Sequence, residues 1–528
     1  MLGNKKIIYL LIGVILIAVS APLFADGEEI TPYRPKDATK VKHSNKAFRP
    51  DPTYEDKPYS AEKQLVIYGG KTPFREPRPL LELNRPLYPY GEFPKTGVWD
   101  GEDWPTVDQA LSLFWGEKNP SMFHIMVFGD LFTAIAYNDN GVNDQAVLAW
   151  NLNLNIDIQL TSTERIHIFM QPLQQGGDFT RFDFGGENHA FEERIDLNVE
   201  NLFFEGDLGV MIQGWTGNET GFSMPIGFGL INLLFHNGVW LNEAFTGAAL
   251  TIPALNVPAL DISNMDITFF AGFDRIDTNA IAADEDADIF GFNLFMETWK
   301  GYWEIGYAYT RDSSENGDGN NNFADYHNII VSFSKRYGGI LSNSIRVIWN
   351  FGQDSDLNIG GNGQTADGVL LLIENSIISP LPSTLVPYFN FFAGFDRPQS
   401  LANNNGNLFQ TGINFETDGL TGFPRLDDTG QDTYGFALGI EYLFALDKQI
   451  VFEFATVQEL EGAERAANAN NGGAPFEGAQ YAFQMRFQLP VNWGTTWNAT
   501  IFRVDAMYAI LPEDDDLSGI RLEVRQKF

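Results

Sequence analysis

Ala146-Val-Leu-Ala-Trp-Asn-Leu-Asn-Leu-Asn-Ile-Asp-Ile-Gln-Leu160 alternates for most of its length. Leu148, Trp150, Leu152, Leu154, Ile156, Ile158 and Leu160 fall on one face, and Asn151, Asn153, Asn155, Asp157 and Gln159 on the other. A period of two is that of a β-strand with two different environments. At about 3.3 Å per residue the strand runs roughly 40 Å, twice the usual soluble length. The theme returns at Gln480–Leu489, where Tyr481, Phe483, Met485, Phe487 and Leu489 oppose Gln484, Arg486 and Gln488. It returns at Tyr434–Phe444, and again in the last eleven residues, Ser518–Phe528. There Ile520, Leu522, Val524 and Phe528 oppose Arg521, Glu523, Arg525 and Lys527, with Gln526 the one break.

Working outward from these four, further strands are expected at Ile125–Tyr137, Arg165–Gln171, Ile195–Glu205, Asp207–Trp215, Ala244–Ile252, Asp266–Arg275 and Asp288–Thr298. Seven more are expected at Tyr302–Arg311, His327–Tyr337, Ser344–Phe351, Val369–Ile378, Leu385–Phe395, Gln449–Val457 and Thr496–Tyr508. That makes about eighteen, with Phe409–Phe415 either one more strand or loop. Connections such as Thr298–Gly301 and Tyr337–Gly339 are short, whereas Gly352–Asp367, Asp396–Asp432 and Glu459–Gly478 are long and rich in Asn, Asp and Gly. Long strands with one apolar face leave exposed edges in an open sheet. Closure removes the edges and satisfies every backbone group, which a lipid crossing demands. The expected fold is therefore all-β: a transmembrane antiparallel up-and-down β-barrel of 16–18 strands with an apolar outside and a wet lumen. A soluble secreted sandwich is the competing architecture.

Composition narrows the function. With 34 Lys+Arg against 69 Asp+Glu, the net charge of −35 argues against a nucleic-acid partner. There are no cysteines, which excludes thiol catalysis, disulfides and cysteine-ligated metals. Gly-x-Ser-x-Gly, His-Glu-x-x-His and a phosphate-cradling Gly-x-x-x-x-Gly-Lys are absent, so no enzyme, cofactor or metal site is expected. The Asn- and Asp-rich loop Asp312–Asp325, like Asp284–Asp288 and Glu513–Asp516, has oxygen ligands without calcium-loop spacing. Solvated loops are the simpler reading, and divalent cations bridging lipopolysaccharide the other.

Three regions follow. Residues 1–25 read as a secretory signal: Lys5 and Lys6, an apolar Ile7–Val19, and Leu23-Phe-Ala25 before Asp26. Residues 26–119 are an extended periplasmic or plug-like segment, in which Arg75–Tyr90 packs prolines, arginines and apolar residues together. It plugs a pore, touches a partner or covers a rim. Residues 120–528 are the barrel.

The chain ends on a strand with a terminal Phe, and Gly206–Trp215, Leu233–Gly247 and Asn407–Thr429 look porin-like. On these residues the barrel resembles bacterial outer-membrane porins, with alginate-export and carbohydrate-selective porins the nearest relatives. The resemblance implies an outer-membrane channel in a Gram-negative envelope, set among lipid and lipopolysaccharide. It also implies that the C-terminal strand ending at Phe528 is read by periplasmic chaperones and the barrel-assembly machinery. The expected function is passive diffusion of small hydrophilic solutes or export of a polysaccharide. The rival is a structural or partner-binding scaffold, its lumen plugged by the N-terminal segment.

In a pore, selectivity sits on inward residues. Parity puts His124, Asp130, Asp157, Asp196 and Glu200 inward on the first strands, and Arg486, Arg503, Arg521 and Arg525 inward on the last. Closure would set an acidic wall beside a basic one. The alternative is that these charges pair locally and hold the wall together. Gly217–Trp240, with His236, Asn237 and the adjacent Asn242, is either a constricting loop or an outer cover or homo-oligomer contact.

Overall fold

The computed structural model describes residues 80–83 and, from 121 to 528, all but 142–143, 162, 186–188, 279, 282–286, 314–324, 354–365, 379–384, 404–406, 409–410, 412–418, 445–447, 461–477 and 492–498. Residues 1–25, read above as a secretory signal, all of 26–119 except 80–83, and most of the acidic loop 312–325 lie outside the described residues.

Eighteen strands close on themselves. The first nine are β1 (Ser121–Asp139), β2 (Asp144–Thr161), β3 (Arg165–Met170), β4 (Val199–Asp207), β5 (Pro225–Phe235), β6 (Leu241–Val257), β7 (Ile262–Asp274), β8 (Ala287–Thr298) and β9 (Gly301–Asp312). They continue as β10 (Tyr326–Tyr337), β11 (Leu341–Phe351), β12 (Asp367–Ile377), β13 (Leu385–Arg397), β14 (Thr433–Phe444), β15 (Lys448–Glu459), β16 (Gln480–Val491), β17 (Ala499–Ile510) and β18 (Leu517–Lys527). Each pairs antiparallel with its neighbour in sequence, and β18 pairs with β1 from Ser518↔Asp139 to Lys527↔Asp130. The barrel thus closes along the seam over Gly129–Asp139. Among the described residues no helix is long and apolar enough to cross a membrane.

The apolar half of the alternation points outward. On β18 Ile520 is 52% exposed and Leu522 42%, while Arg521 between them is 1% exposed and faces in. Phe269, Phe273, Phe290, Trp349, Leu438, Ile440, Phe452, Phe483 and Val524 are likewise exposed, forming a continuous apolar outer wall. A water-soluble monomer rarely exposes so much. Exposed Tyr137, Tyr434, Tyr481 and Tyr508 lie towards one end of the wall, and Trp299, Tyr302, Tyr337 and Tyr442 towards the other. Such rings favour lipid–water boundaries.

Two sequence expectations fail and offset each other. Leu208–Thr216 is an α-helix, not a strand: Asp207 caps its start by accepting the Val210 N–H at 3.1 Å, and Gly217 ends it at φ 70°. Pro225–Phe235, expected inside a loop, is strand β5. Phe528 also differs from expectation. Its backbone pairs with Gly129, each N–H donating to the other's carbonyl at 2.9 Å, but its side chain is buried instead of exposed to lipid.

Candidate functional site: a lumen narrowed by inward loops

The largest apolar cluster lies inside the barrel. At its centre is the β5–β6 turn, His236–Trp240. Asn237 at φ 58° and Gly238 at φ 81° turn the chain sharply enough for Val239 and Trp240 to fold inward. Trp240 is fully buried against Phe270, at 6.1 Å between ring centroids. It also lies over Gly306, where an added Cβ would come 2.5 Å from the indole. Its Nε1–H donates to Asn328 Oδ1 at 2.8 Å. Only Gly fits beneath the ring, which gives a packing reason for a Gly in mid-strand.

The described parts of the β13–β14 connection, within residues 398–432, dock on this turn and on the far wall. Leu401 N–H donates to the Trp240 carbonyl at 2.8 Å, Ser400 Oγ to the Val239 carbonyl at 2.7 Å, and Asn403 Nδ2 to the Gly238 carbonyl at 3.1 Å. Asn328 and Asn350 both donate to the Gln399 carbonyl, at 3.0 and 3.1 Å. At the other end, Thr421's carbonyl accepts from Asn138 Nδ2 at 2.6 Å on β1, and Asp427 N–H donates to Gln480 Oε1 at 2.9 Å on β16. Leu420 packs with Phe132, Ala134, Ala136, Val147 and Ala149 on β1 and β2. Between these anchors runs one hydrogen-bonded row of inward residues, Asn390–Ala437–Ala455–Ala482–Ala509–Leu517. Small side chains at this level leave room for a loop, and the four alanines are wholly buried beneath it.

Below the row, towards the short-turn end, charges take over. Arg486 Nε meets Asp505 Oδ1 at 2.7 Å, Arg503 Nε meets Asp505 Oδ2 at 2.8 Å, and Arg503 Nη2 meets Glu523 at 3.3 Å. Arg521 also pairs with Glu523. Arg525 donates to Asp130 Oδ2, by Nε at 2.9 Å and by Nη2 at 2.5 Å, and lies 4.5 Å over the Phe132 ring. The acids sit behind the arginines. Side chains of Asp505, Glu523 and Asp130 are 3%, 2% and 11% exposed, against 23%, 17% and 34% for Arg486, Arg503 and Arg525. A nearly balanced cluster therefore presents its cationic side to lumen water. On the opposite wall Arg346 pairs with Glu374, and Glu304 Oε1 accepts from His236 N–H at 3.0 Å and Asn293 Nδ2 at 2.9 Å.

Placement of the expected residues is mixed. His124, Asp130, Asp157, Arg486, Arg503, Arg521 and Arg525 all stand on the inward face of their ladders. Asp157, however, is engaged by His167 Nδ1 at 2.5 Å, and Arg165 approaches it at 3.9 Å. Local pairing thus replaces the expected face-off of acidic and basic walls, and Arg521 is enclosed instead of facing water. Asp196 lies outside every ladder, its carboxylate accepting the Asn198 N–H at 2.8 Å. Glu200 is the extra residue of a bulge between Phe169↔Asn201 and Met170↔Val199, which takes it out of the alternation. Of the expected constriction loop only His236–Trp240 enters the lumen. His236 is buried there, Asn237 is exposed at the turn, and Asn242 belongs to β6, beside Leu234. Trp240, the alanine row and Glu304, Arg346 and Glu374 were not anticipated. The alanines alternate with aromatics in Tyr434–Phe444 and Gln480–Leu489, and that was the available signal.

No protein-family model and no curated protein sequence matches the chain. Among solved structures it is similar to Pseudomonas aeruginosa OccK5 (OpdH), at 11% identity over 76% of this chain and 98% of that one, with a TM-score of 0.48. Pseudomonas aeruginosa OpdL gives the same values, and the outer membrane protein OpdK of Pseudomonas aeruginosa 9%, 76%, 98% and 0.46. At such identity and overlap no residue role transfers from them. The strand pairing stands as its own warrant for the barrel.

Proposed function

We propose that the chain is an outer-membrane porin, a passive water-filled channel for small hydrophilic solutes with a preference for anions. The observation carrying this reading is the layered cluster on β16–β18 and β1, with buried acids behind and part-exposed arginines in front. Its placement supports selectivity because a guanidinium facing a narrow, partly dehydrated lumen acts at lower effective dielectric than one in bulk water. The outer apolar wall supports a lipid setting, and export of the chain would deliver it to the outer membrane. The described parts of the 398–432 connection are anchored on opposite sides of the barrel interior, which supports small solutes over a polysaccharide chain. Passive diffusion needs no catalytic group, and the paired charges described above serve as wall and filter.

The test is planar-bilayer recording under a salt gradient. Arg486→Gln, Arg503→Gln and Arg525→Gln, singly and together, should move the reversal potential stepwise towards cation preference while channels still open. An unmoved reversal potential in the triple variant overturns the anion reading, and absence of any conductance from the refolded wild-type chain overturns the channel itself.

A further inference from the structure

The barrel seam is uneven. β1 has 19 residues, but β18 and the terminal Phe528 pair only as far as Gly129. On the other side β2 covers β1 over nearly its whole length, to Thr161↔Ser121. Towards the short-turn end, β1 therefore continues past the end of β18 with one edge of its backbone uncovered by the barrel. An uncovered strand edge is a template for a further strand. Leu81–Leu83 occupies it, antiparallel, with Leu81↔Val127, Glu82↔Met126 and Leu83↔Ile125.

Sequence explains why the added strand is so short. Leu81–Leu83 is bracketed by Pro77 and Pro79 before and Pro86 after. A proline has no N–H to give to a ladder, so the pairing cannot spread. The result is a clasp of three residues instead of a nineteenth wall strand.

We infer that the lower edge of β1 is a strand-acceptor site, and that its resident is the chain's own Leu81–Leu83. The clasp fastens residues 81–83 to the line of the wall, at the seam. The peptide it accepts is extended, makes main-chain hydrogen bonds and is bounded by prolines, which is the chemistry of β-augmentation. This rests on strand pairing alone and is independent of the channel reading.

The chain has no cysteines, so introduced ones are unique. Antiparallel partners have Cα atoms about 4.5–5.5 Å apart, within disulfide range. In the full chain, refolded in bilayers, the pairs Leu81→Cys/Val127→Cys, Glu82→Cys/Met126→Cys and Leu83→Cys/Ile125→Cys should bridge on mild oxidation, read as a gel shift reversed by reductant. Leu81→Cys with the inward Gln484→Cys should not. Failure of all three seam pairs overturns the inference, as does bridging of the lumen pair. Glu82→Pro gives a second reading that leaves every barrel residue unchanged. Amide exchange on β1 between residues 122 and 128 should accelerate at least tenfold while that of 130–139 holds, and unchanged exchange at 122–128 also overturns it. Bilayer conductance of the bridged protein is a separate measurement, so a failed channel and a failed clasp are told apart.

Discussion

Trp240→Ala should open the lumen without unfolding the wall. The indole is fully buried, rests on Gly306, touches Phe270 and donates to Asn328. Truncating a buried Trp to Ala costs about 3–5 kcal/mol, and the orphaned Asn328 acceptor adds about 1 kcal/mol. That energy is spent holding a turn and a loop against the wall, since the eighteen-strand ladder makes its own hydrogen bonds. At about 1.4 kcal/mol per tenfold, the docked-to-undocked ratio of the 398–432 loop should fall on the order of a thousandfold. Single-channel recording should show a larger or flickering conductance, and limited proteolysis faster cleavage within residues 398–432, with the barrel's thermal transition nearly unchanged. The reasoning is refuted if conductance and cleavage stay at wild-type values while the thermal transition drops, because Trp240 would then belong to the wall's stability and not to loop docking.

Gly306→Ala attacks the same contact from below. A methyl 2.5 Å from the indole is overpacking, which typically costs about 1–3 kcal/mol, so the change in conductance should have the same direction and be smaller. Asp505→Asn removes the shared partner of Arg486 and Arg503. Losing one side of a buried pair costs about 3–5 kcal/mol, so denaturant resistance should fall while the reversal potential shifts further towards anions; a shift towards cations would contradict the layered arrangement. Asp207→Ala removes the N-cap of Leu208–Thr216. It should cost about 0.5–2 kcal/mol, read as faster amide exchange over Leu208–Met211 with no change in conductance.

Much of the wall was legible because each strand separates two solvents. Seventeen expected strands are present, and the total of eighteen emerged only because a false strand and a missed one cancelled. Asp207–Trp215 misled because Leu208, Val210 and Ile212 alternate as well as any strand does. The capping Asp207 and the terminal Gly217 were the helix signals that alternation masked. β5 was missed for a different reason. Its inward residues are Gly227, Gly229, Ile231, Leu233 and Phe235, and its outward ones Ile226, Phe228, Leu230, Asn232 and Leu234, with Asn232 the one polar residue. Both faces are otherwise apolar, so no contrast marks the period. The charged cluster was legible as a set of inward arginines, but not its layering. Which of two neighbouring charges is buried depends on side chains brought together across strands, as Asp130 is with Arg525, and periodicity carries no information about that.

That failure explains a wider pattern in the chain. Strands whose inward faces are apolar are the ones the inner loops cover: Phe245, Phe270, Ile289, Ile330, Ile348, Leu370, Leu372 and Phe392 are all buried within the barrel. Inward charges occur on both sides, Glu304, Arg346 and Glu374 on β9, β11 and β12 among them, but the part-exposed arginines stand on β16–β18. An apolar inward residue has no place against water, and an unpaired charge has none under a packed loop. The inner loop reaches both sides, since Leu420 packs on β1 and β2 and Asp427 bonds Gln480 on β16, and the part-exposed arginines of β16–β18 stand below it, towards the short-turn end. In the channel we propose, that level of β16–β18 is the working face.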